Sequence, residues 1–255
     1  MASFCQTIIT LSPLAAPIML NLPIVVLVLG ICFSAVFVWL MLTEWSYLGT
    51  GFVRRSYDWL SPWYEGKWSS DEYQSEELNQ RLFLSPILQQ TGSDENARVL
   101  DLACGTGRLS LSLLRSAKFQ GSIHAVDFSR KMMDIFRNHL YEETDLTNRV
   151  TLEEADLGKW NADVSHSYDA VLLLEVSELI PDLPRLMKQI AASLKPGGLL
   201  VTTQVGQQFA WLFQGRFQKP GATHDLLRDS GFESIQVEPW RKRYDVVLAK
   251  RSEQL

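Results

Sequence analysis

The sequence has few cysteines, no close pair of them, and no excess of basic residues. Its 255 residues contain only Cys5, Cys32 and Cys104, too few and too scattered for a disulfide scaffold or a zinc site. We therefore expect no metal and a reducing compartment. Cys104 lies in a glycine-rich loop without an accompanying His motif, which favours a small turn residue over a nucleophile. The net charge of -5 lacks the clustered Lys and Arg that phosphates attract, so no nucleic acid partner is expected.

Residues 1–43 contain no Asp, Glu, Lys, Arg or His, and within them residues 23–42 form a continuous apolar run. A helix of that length, at ~1.5 Å per residue, spans the ~30 Å hydrocarbon core of a bilayer. We predict a short uncharged segment (1–22) followed by a transmembrane helix (23–43). A cleaved signal peptide would need basic residues before the run and a small-residue cleavage site after it. A buried core helix is the other alternative, which the length and the lack of charge disfavour.

Aromatic residues cluster directly after this run. Five of the eight tryptophans fall between positions 39 and 68, as expected at a membrane–water boundary. Arg54, Arg55 and Lys67 follow the run and no basic residue precedes it, so the positive-inside rule places the following domain in the cytoplasm. We predict a single-pass membrane protein in which residues 44–96 form an interfacial aromatic connector and cap.

From residue 97 onward, short apolar runs alternate with amphipathic segments. The runs that we predict as strands are 98–102, 122–126, 150–153, 170–174, 199–205, 235–237 and 244–250. Strands that alternate with helices predict a doubly wound, mostly parallel α/β sheet, here of seven strands. The close spacing of the last two strands indicates an antiparallel edge pair. Residues 97–255 are therefore interpreted as one domain.

The first strand of this domain leads into the loop Ala-Cys-Gly-Thr-Gly at 103–107. Gly105 and Gly107 allow a sharp turn, and a helix that starts near Gly107 would offer its positive end to a carboxylate. A dinucleotide-binding G-x-G-x-x-G turn is the alternative, but Ser110 occupies its third glycine position. Asp101, just before the loop, suits a cationic amino group better than a pyrophosphate.

A second acid, Asp127, ends the next strand 20 residues after Gly107. That spacing is typical of a carboxylate that accepts hydrogen bonds from ribose hydroxyls, although Asp127 could instead cap a helix beginning at Ser129. Phe128 would then pack on an adenine ring. Asp156 with its neighbour Leu157 follows the third strand, where the carboxylate and a backbone N–H could pair with adenine.

These motifs, in this order, resemble class I S-adenosylmethionine-dependent methyltransferases, and in particular the type-11 and ubiquinone/menaquinone C-methyltransferase-like branch. The resemblance covers residues 97 to about 250. It rests on the 101–107 loop, the acid at 127 in Val-Asp-Phe-Ser, the Ala-Asp-Leu turn at 155–157, and Leu-Lys-Pro-Gly-Gly at 194–198. It implies a Rossmann-like methyltransferase fold and S-adenosyl-L-methionine as cofactor.

The resemblance also implies roles for individual residues. The methionine moiety would be held by Asp101, Gly105 and Gly107, the ribose by Asp127, and the adenine by Asp156 and Leu157. Ala103 and Phe128 would also contact the cofactor, Phe128 beside the adenine.

Two acids after the fourth strand, Glu175 and Glu178, are expected at the cleft mouth. Glu175 is also expected to border the cofactor. Either residue is a candidate catalytic base if the acceptor is a phenol, an enol or another hydroxyl. Many relatives have a His near the Ile-Pro-Asp turn, where this chain has Glu178.

The segment after the fifth strand is dense in large apolar residues. These are Phe209, Trp211, Leu212, Phe213 and Phe217. We interpret them as part of an acceptor pocket for an apolar or lipid-like molecule, such as a quinone precursor or an isoprenoid. The alternatives are a methyltransferase for a soluble small molecule or a protein, and a non-catalytic cofactor-binding membrane scaffold.

Overall fold

The computed structural model describes residues 22–68, 76–162, 167–213 and 221–253. They belong to two units, one ending at Met41 and the other running from Leu42 to Leu255. The predicted segment 1–22 lies outside the described residues except for Leu22.

In the first unit, helix α1 (Leu22–Leu42) occupies the predicted span. The helix is made mostly of Leu, Ile, Val and Phe, and the hydroxyl of Ser34 near its middle donates to the carbonyl of Gly30 (2.9 Å). By length and composition α1 can cross a membrane, and its membrane residency remains a prediction.

The second unit begins with a sharp bend and a long helix. Glu44 and Trp45 have positive φ values (51° and 61°) and lead through a 3₁₀ turn (Ser46–Leu48) into α2 (Thr50–Trp68). The Tyr47 hydroxyl donates to the carbonyl of Leu212 (2.8 Å), which fixes the bend against the domain. The remaining helices are α3 (Glu76–Asn79), α4 (Ser85–Thr91), α5 (Arg108–Leu114), α6 (Arg130–Glu142), α7 (Thr144–Thr147), α8 (Leu183–Ser193) and α9 (Ala222–Asp229).

All seven predicted strands are present and form one sheet. They are β1 (Arg98–Leu102), β2 (Ser122–Asp127), β3 (Val150–Glu154), β4 (Tyr168–Leu173), β5 (Leu194–Val205), β6 (Phe232–Pro239) and β7 (Tyr244–Arg251). Their order is β3-β2-β1-β4-β5-β7-β6, with β1 to β5 parallel and β7 antiparallel to both β5 and β6. The doubly wound fold and the antiparallel final pair are confirmed. β7, the last strand in sequence, inserts between β5 and the edge strand β6.

The core lies on both faces of the central strands. β1 and β4 consist almost entirely of buried residues, as expected for strands covered by helices on both sides. Phe83, Phe119 and Phe136 are fully buried among them. Within the segment 44–96, α3 and α4 are joined by a π-helical turn (Gln80–Leu84), which buries Leu82, Phe83 and Leu84.

The strand order changes direction between β1 and β4. The chain runs from β1 through β2 to β3 on one side of the sheet, and from β4 to β5 on the other. The crevice beyond the carboxyl ends of such strands is the ordinary ligand site of an open α/β sheet. Helix α2 is fixed near this end of the sheet, because the Ser129 hydroxyl donates to Asp58 Oδ1 (2.7 Å) and Arg54 forms an ion pair with Glu154 at the end of β3. The fold therefore places a long helix next to the predicted loop.

Candidate cofactor and acceptor site

A cavity lies at the carboxyl ends of β1, β2 and β4, beneath α2. Its side formed by the sheet and loops, which we call the floor, is lined by Asp101, Ala103, Cys104, Thr106, Arg108, Leu109, Asp127, Phe128, Met132, Asp156, Leu157, Leu174, Glu175, Val176, Leu179, Ile180 and Pro181. Its other side, which we call the roof, is lined by Ser46, Gly49, Thr50, Val53, Tyr57 and Tyr64. The structure thus brings together four of the predicted acids, Asp101, Asp127, Asp156 and Glu175.

Asp101 lies deep in the floor and is held by Ser110, the residue at the third glycine position of a dinucleotide-binding pattern. The fully buried Ser110 hydroxyl donates to Asp101 Oδ2 (2.6 Å). Burial raises the pKa of Asp101 to about 7, opposed by the Ser110 hydrogen bond. A buried carboxyl of this kind gains from a cationic ligand, which restores the charge balance lost by desolvation.

The loop after β1 needs unusual backbone angles. Ala103, Gly105 and Gly107 have φ values of 57°, 56° and 79°. Gly107 is the N-cap of α5, so the predicted helix start is confirmed, and a Cβ there would lie 2.2 Å from the Phe136 ring. Gly107 is therefore required by both backbone angle and packing, whereas a Cβ at Gly105 would meet no heavy atom within 4 Å.

The Asp127 carboxylate joins two loops at the floor. Oδ2 accepts from the backbone N–H of Gly105 (2.9 Å), and Oδ1 accepts from the N–H of Ser129 (2.7 Å). Ser129 itself caps α6, accepting from the N–H of Met132 (3.2 Å). Burial raises the pKa of Asp127 to about 6, opposed by these backbone hydrogen bonds. Asp127 therefore orders the loop before α6 as well as lining the cavity.

The residues predicted to hold the adenine also lie in the floor. Asp156 Oδ1 accepts from the N–H of Gly158 (2.9 Å), which leaves Oδ2 as the second acceptor of the same carboxylate, and Leu157 is buried. Phe128 lies against Tyr57 of the roof, with ring centroids 6.1 Å apart. An apolar slot with one carboxylate at its end suits a planar heterocycle with an amino group.

Glu175 lines the cavity, and two contacts hold it in a left-handed backbone conformation. Its φ is +54°, its backbone N–H donates to Thr203 Oγ1 (2.6 Å), and its Oε1 is 2.9 Å from Arg241 Nη1. The Arg241 guanidinium in turn stacks on Trp240 (3.6 Å from the ring centroid). A residue with a left-handed backbone and a nearly buried cation partner has little freedom to move.

The prediction that Glu178 faces the cleft mouth is wrong. The 3₁₀ turn Ser177–Leu179 directs its side chain away from the cavity lining and toward β7, where it is buried and accepts from the Tyr244 hydroxyl. Burial raises its pKa to about 7. The nearby Glu44 accepts from the Tyr57 hydroxyl (2.6 Å) and lies 3.5 Å from Arg243. Glu178 therefore belongs to a buried polar cluster behind the roof.

The aromatic segment after β5 also departs from its predicted role. Leu212 and Phe213 are buried, with Arg243 over the Phe213 ring (5.6 Å), while Trp211 is exposed. None of these three, nor Phe209, lines the cavity, and Phe217 lies outside the described residues. The apolar wall of the cavity comes instead from α2 and from the segment after β4.

The remaining questions at the site are whether Cys104 could act as a nucleophile and whether the described side chains could hold a metal ion. Burial raises the pKa of the Cys104 thiol well above its ordinary value, so the thiolate is disfavoured. Within the part of the chain that the structure describes, no three His, Cys, Asp or Glu side chains come together as a metal site would require.

Comparisons with known proteins agree with this geometry. Residues 99–198 match the family described as "Methyltransferase domain". The chain is 29% identical over 185 residues to a ubiquinone biosynthesis O-methyltransferase of Xanthomonas axonopodis pv. citri, covering 63% of this chain and 73% of that protein. It is 30% identical over 127 residues to the protein of the same name from Coxiella burnetii (strain Dugway 5J108-111), covering 49% of this chain and 51% of the relative.

Among solved structures, the magnesium protoporphyrin IX methyltransferase of Synechocystis PCC 6803, crystallised with bound S-adenosylmethionine, is similar in fold. It superposes with a TM-score of 0.54 at 19% identity, covering 80% of this chain and 92% of that one. At this identity the likeness concerns the fold.

Proposed function

We propose that this chain, whose residues 99–198 match the methyltransferase domain family, transfers a methyl group from S-adenosylmethionine to an apolar or lipid-like acceptor at a membrane. The observation that carries the proposal is the cavity itself, in which two buried acids of the floor, Asp101 and Asp127, share one lining with many apolar side chains of α2 and of the segment after β4. The cofactor supplies an electrophilic methyl group on a sulfonium.

We assign the cofactor residues from charge and position. Asp101 and Asp127 are buried carboxyls, suited to an ammonium group and to ribose hydroxyls, and Asp156 with Leu157 suits the adenine edge. Arg108, which the sequence reasoning did not select, lines the floor at the first residue of α5. A guanidinium at a helix N-terminus favours a carboxylate, so Arg108 is assigned to the methionine carboxylate.

The acceptor subsite is assigned to the apolar part of the cavity between the roof and the segment after β4. Val53, Val176, Leu179 and Ile180 line it, and Tyr64 carries a polar tip there. Burial raises the pKa of Tyr64 well above its ordinary value, so its hydroxyl stays protonated and able to donate. Such a lining fits an apolar ring bearing few polar groups. A quinone precursor is favoured because the relatives carry names from ubiquinone biosynthesis.

Methyl transfer is an in-line displacement, so this chain accelerates it mainly by aligning the acceptor and excluding water. For a hydroxyl acceptor, Glu175 is the better placed base, because it lines the cavity while Glu178 does not. We expect Glu175→Gln to lower kcat and to remove its dependence on pH, and Glu178→Gln to leave the pH profile of kcat unchanged. Equal pH profiles for both variants and the wild type would remove the base from the proposal.

Membrane residency adds a second part to the proposal. α1 can cross a bilayer by length and composition, and the positive-inside pattern favours a cytoplasmic domain. A tether of this kind raises the effective concentration of the domain at its lipid-soluble acceptor.

The deciding experiment incubates the full chain with radiolabelled S-adenosylmethionine and a membrane extract from its own source. The Asp127→Ala variant removes one of the two buried acids of the floor, and Asp134→Ala, an exposed residue of α6 paired with Arg137, is the matched control. Label in the lipid fraction that is lost in the first variant and kept in the second supports the proposal.

Label in the protein or aqueous fraction contradicts the lipid acceptor and favours the corresponding alternative. Cofactor binding by calorimetry without transfer to any fraction favours the non-catalytic scaffold.

A further inference from the structure

Exposed large apolar side chains of the described domain concentrate in one place. From residue 47 onward nine of them are exposed, and six of the nine belong to the bend and α2, namely Tyr47, Leu48, Phe52, Trp59, Leu60 and Trp63. A soluble domain scatters such residues singly over its surface, whereas a contiguous set marks an interaction site.

Helical spacing divides α2 into two faces. Phe52, Trp59 and Trp63 are seven and four residues apart and share one face, which we call the outer face. Trp59 and Trp63 are 68% and 61% exposed, and their rings lie 5.4 Å apart. Val53 and Tyr57, on the opposite side of the helix, line the roof of the cavity. The burial of α2 against the domain therefore leaves an exposed aromatic stripe, of which Phe52 also contacts the Trp45 ring (5.4 Å between centroids).

The composition and the position of this stripe favour a lipid surface over a protein. Tryptophan is enriched at the membrane–water interface, where its ring enters the acyl boundary and its N–H reaches water. Only seven residues, 43–49, join the end of α1 to the start of α2, a length that reaches at most ~25 Å. Arg55, an exposed residue that helical spacing places beside the stripe, suits anionic headgroups.

We propose that the outer face of α2, formed by Phe52, Trp59 and Trp63, lies in the headgroup–acyl boundary of the membrane that α1 crosses. The helix then lies along the bilayer surface, with its roof residues toward the cavity, as an amphipathic interfacial helix does. This inference rests on the membrane residency in the proposed function. It also brings the cavity next to the lipid phase, from which an apolar acceptor would be drawn.

The test measures the depth of single positions in the full chain reconstituted into phosphatidylcholine–phosphatidylglycerol vesicles. The three native cysteines are replaced by Ala, and a polarity-sensitive fluorophore is attached at Trp63→Cys or, as the control, at Val237→Cys, an exposed apolar position on β6. We expect blue-shifted emission at position 63 and several-fold stronger quenching there by lipids that carry a spin label near the headgroup. Equal quenching at the two positions would overturn the proposal.

Two further measurements keep the outcomes separate. A cooperative urea unfolding transition verifies that each labelled variant is folded. A probe at Phe33→Cys in α1 reports insertion of that helix through quenching by a lipid labelled deep in its acyl chain. Quenching at 33 without quenching at 63 refutes the interfacial helix and leaves the membrane anchor intact, whereas no quenching at 33 refutes the anchor itself. A probe at 63 that is shielded only by a second copy of the chain, at any lipid content, also refutes the proposal.

Discussion

Replacing Ser110 by alanine should weaken cofactor binding through the protonation of Asp101. The Ser110 hydroxyl donates to Asp101 Oδ2 (2.6 Å) in a site where burial has already raised the pKa of that carboxyl to about 7. A hydrogen bond to a charged group contributes about 1.5–3 kcal/mol, and one pKa unit corresponds to about 1.4 kcal/mol. The substitution should therefore raise the pKa of Asp101 by about one to two further units.

The cost in affinity follows from the ionised fraction. At pH 7 the wild-type carboxyl is about half ionised, and the variant would be about 1–10% ionised, so S-adenosylmethionine should bind about 5–50-fold more weakly. At pH 9 the loss should shrink to about twofold or less, because the variant carboxyl is then at least about half ionised. The assay is calorimetric titration of the cofactor at pH values from 6 to 9.

Ser112→Ala is the matched control. Ser112 lies on the same helix, but its hydroxyl donates to the backbone carbonyl of Arg108 (2.9 Å) and not to a carboxylate. Its removal should leave the pH dependence of the dissociation constant unchanged. If Ser110→Ala lost the same affinity at pH 6 and at pH 9, the reasoning would be refuted, because only a steric or packing effect would be independent of the ionisation of Asp101.

Two predictions concern stability. Gly107→Ala should lower the free energy of unfolding by about 2–4 kcal/mol, through its left-handed backbone and the clash with Phe136, and Gly105→Ala by only about 1 kcal/mol. Urea unfolding without cofactor measures both, and equal losses would contradict the packing argument. Because burial raises the pKa of three carboxyls to about 6 or 7, the folded state binds more protons than the unfolded state, so their contribution to stability should fall as pH rises from about 4 to about 7. Glu178→Gln should make the free energy of unfolding less dependent on pH in this range. An unchanged slope would contradict the assignment of a raised pKa to Glu178.

Much of the fold could be predicted because its signals are local. Apolar runs of strand length, separated by amphipathic segments, indicated all seven strands, and the turn at 103–107 indicated the start of α5. The insertion of β7 between β5 and β6 could not be predicted from the runs themselves, because two neighbouring antiparallel strands satisfy the same apolar pattern in either order. The candidate acids at 101, 127, 156 and 175 were predicted from their places at strand ends, and the structure brings all four to one cavity.

The direction of the Glu178 side chain could not be predicted from the sequence. Its position after β4 is the same in sequence terms as that of Glu175, but a single 3₁₀ turn sends one side chain into the cavity wall and the other toward Tyr244. The partners of these acids, Arg241 and Tyr244, are each 66 residues away along the chain. No short pattern carries information about contacts of that separation.

The sequence by itself determined the apolar helix, the alternating sheet and the cofactor loop, because each depends on spacing and backbone angles within a few residues. Only the tertiary structure decided that α2 roofs the cavity, that Ser110 holds Asp101, and that the aromatic segment after β5 packs away from the acceptor site. These features arise when distant segments desolvate one another, which fixes both the pKa of a buried acid and the face of a helix left open to its surroundings.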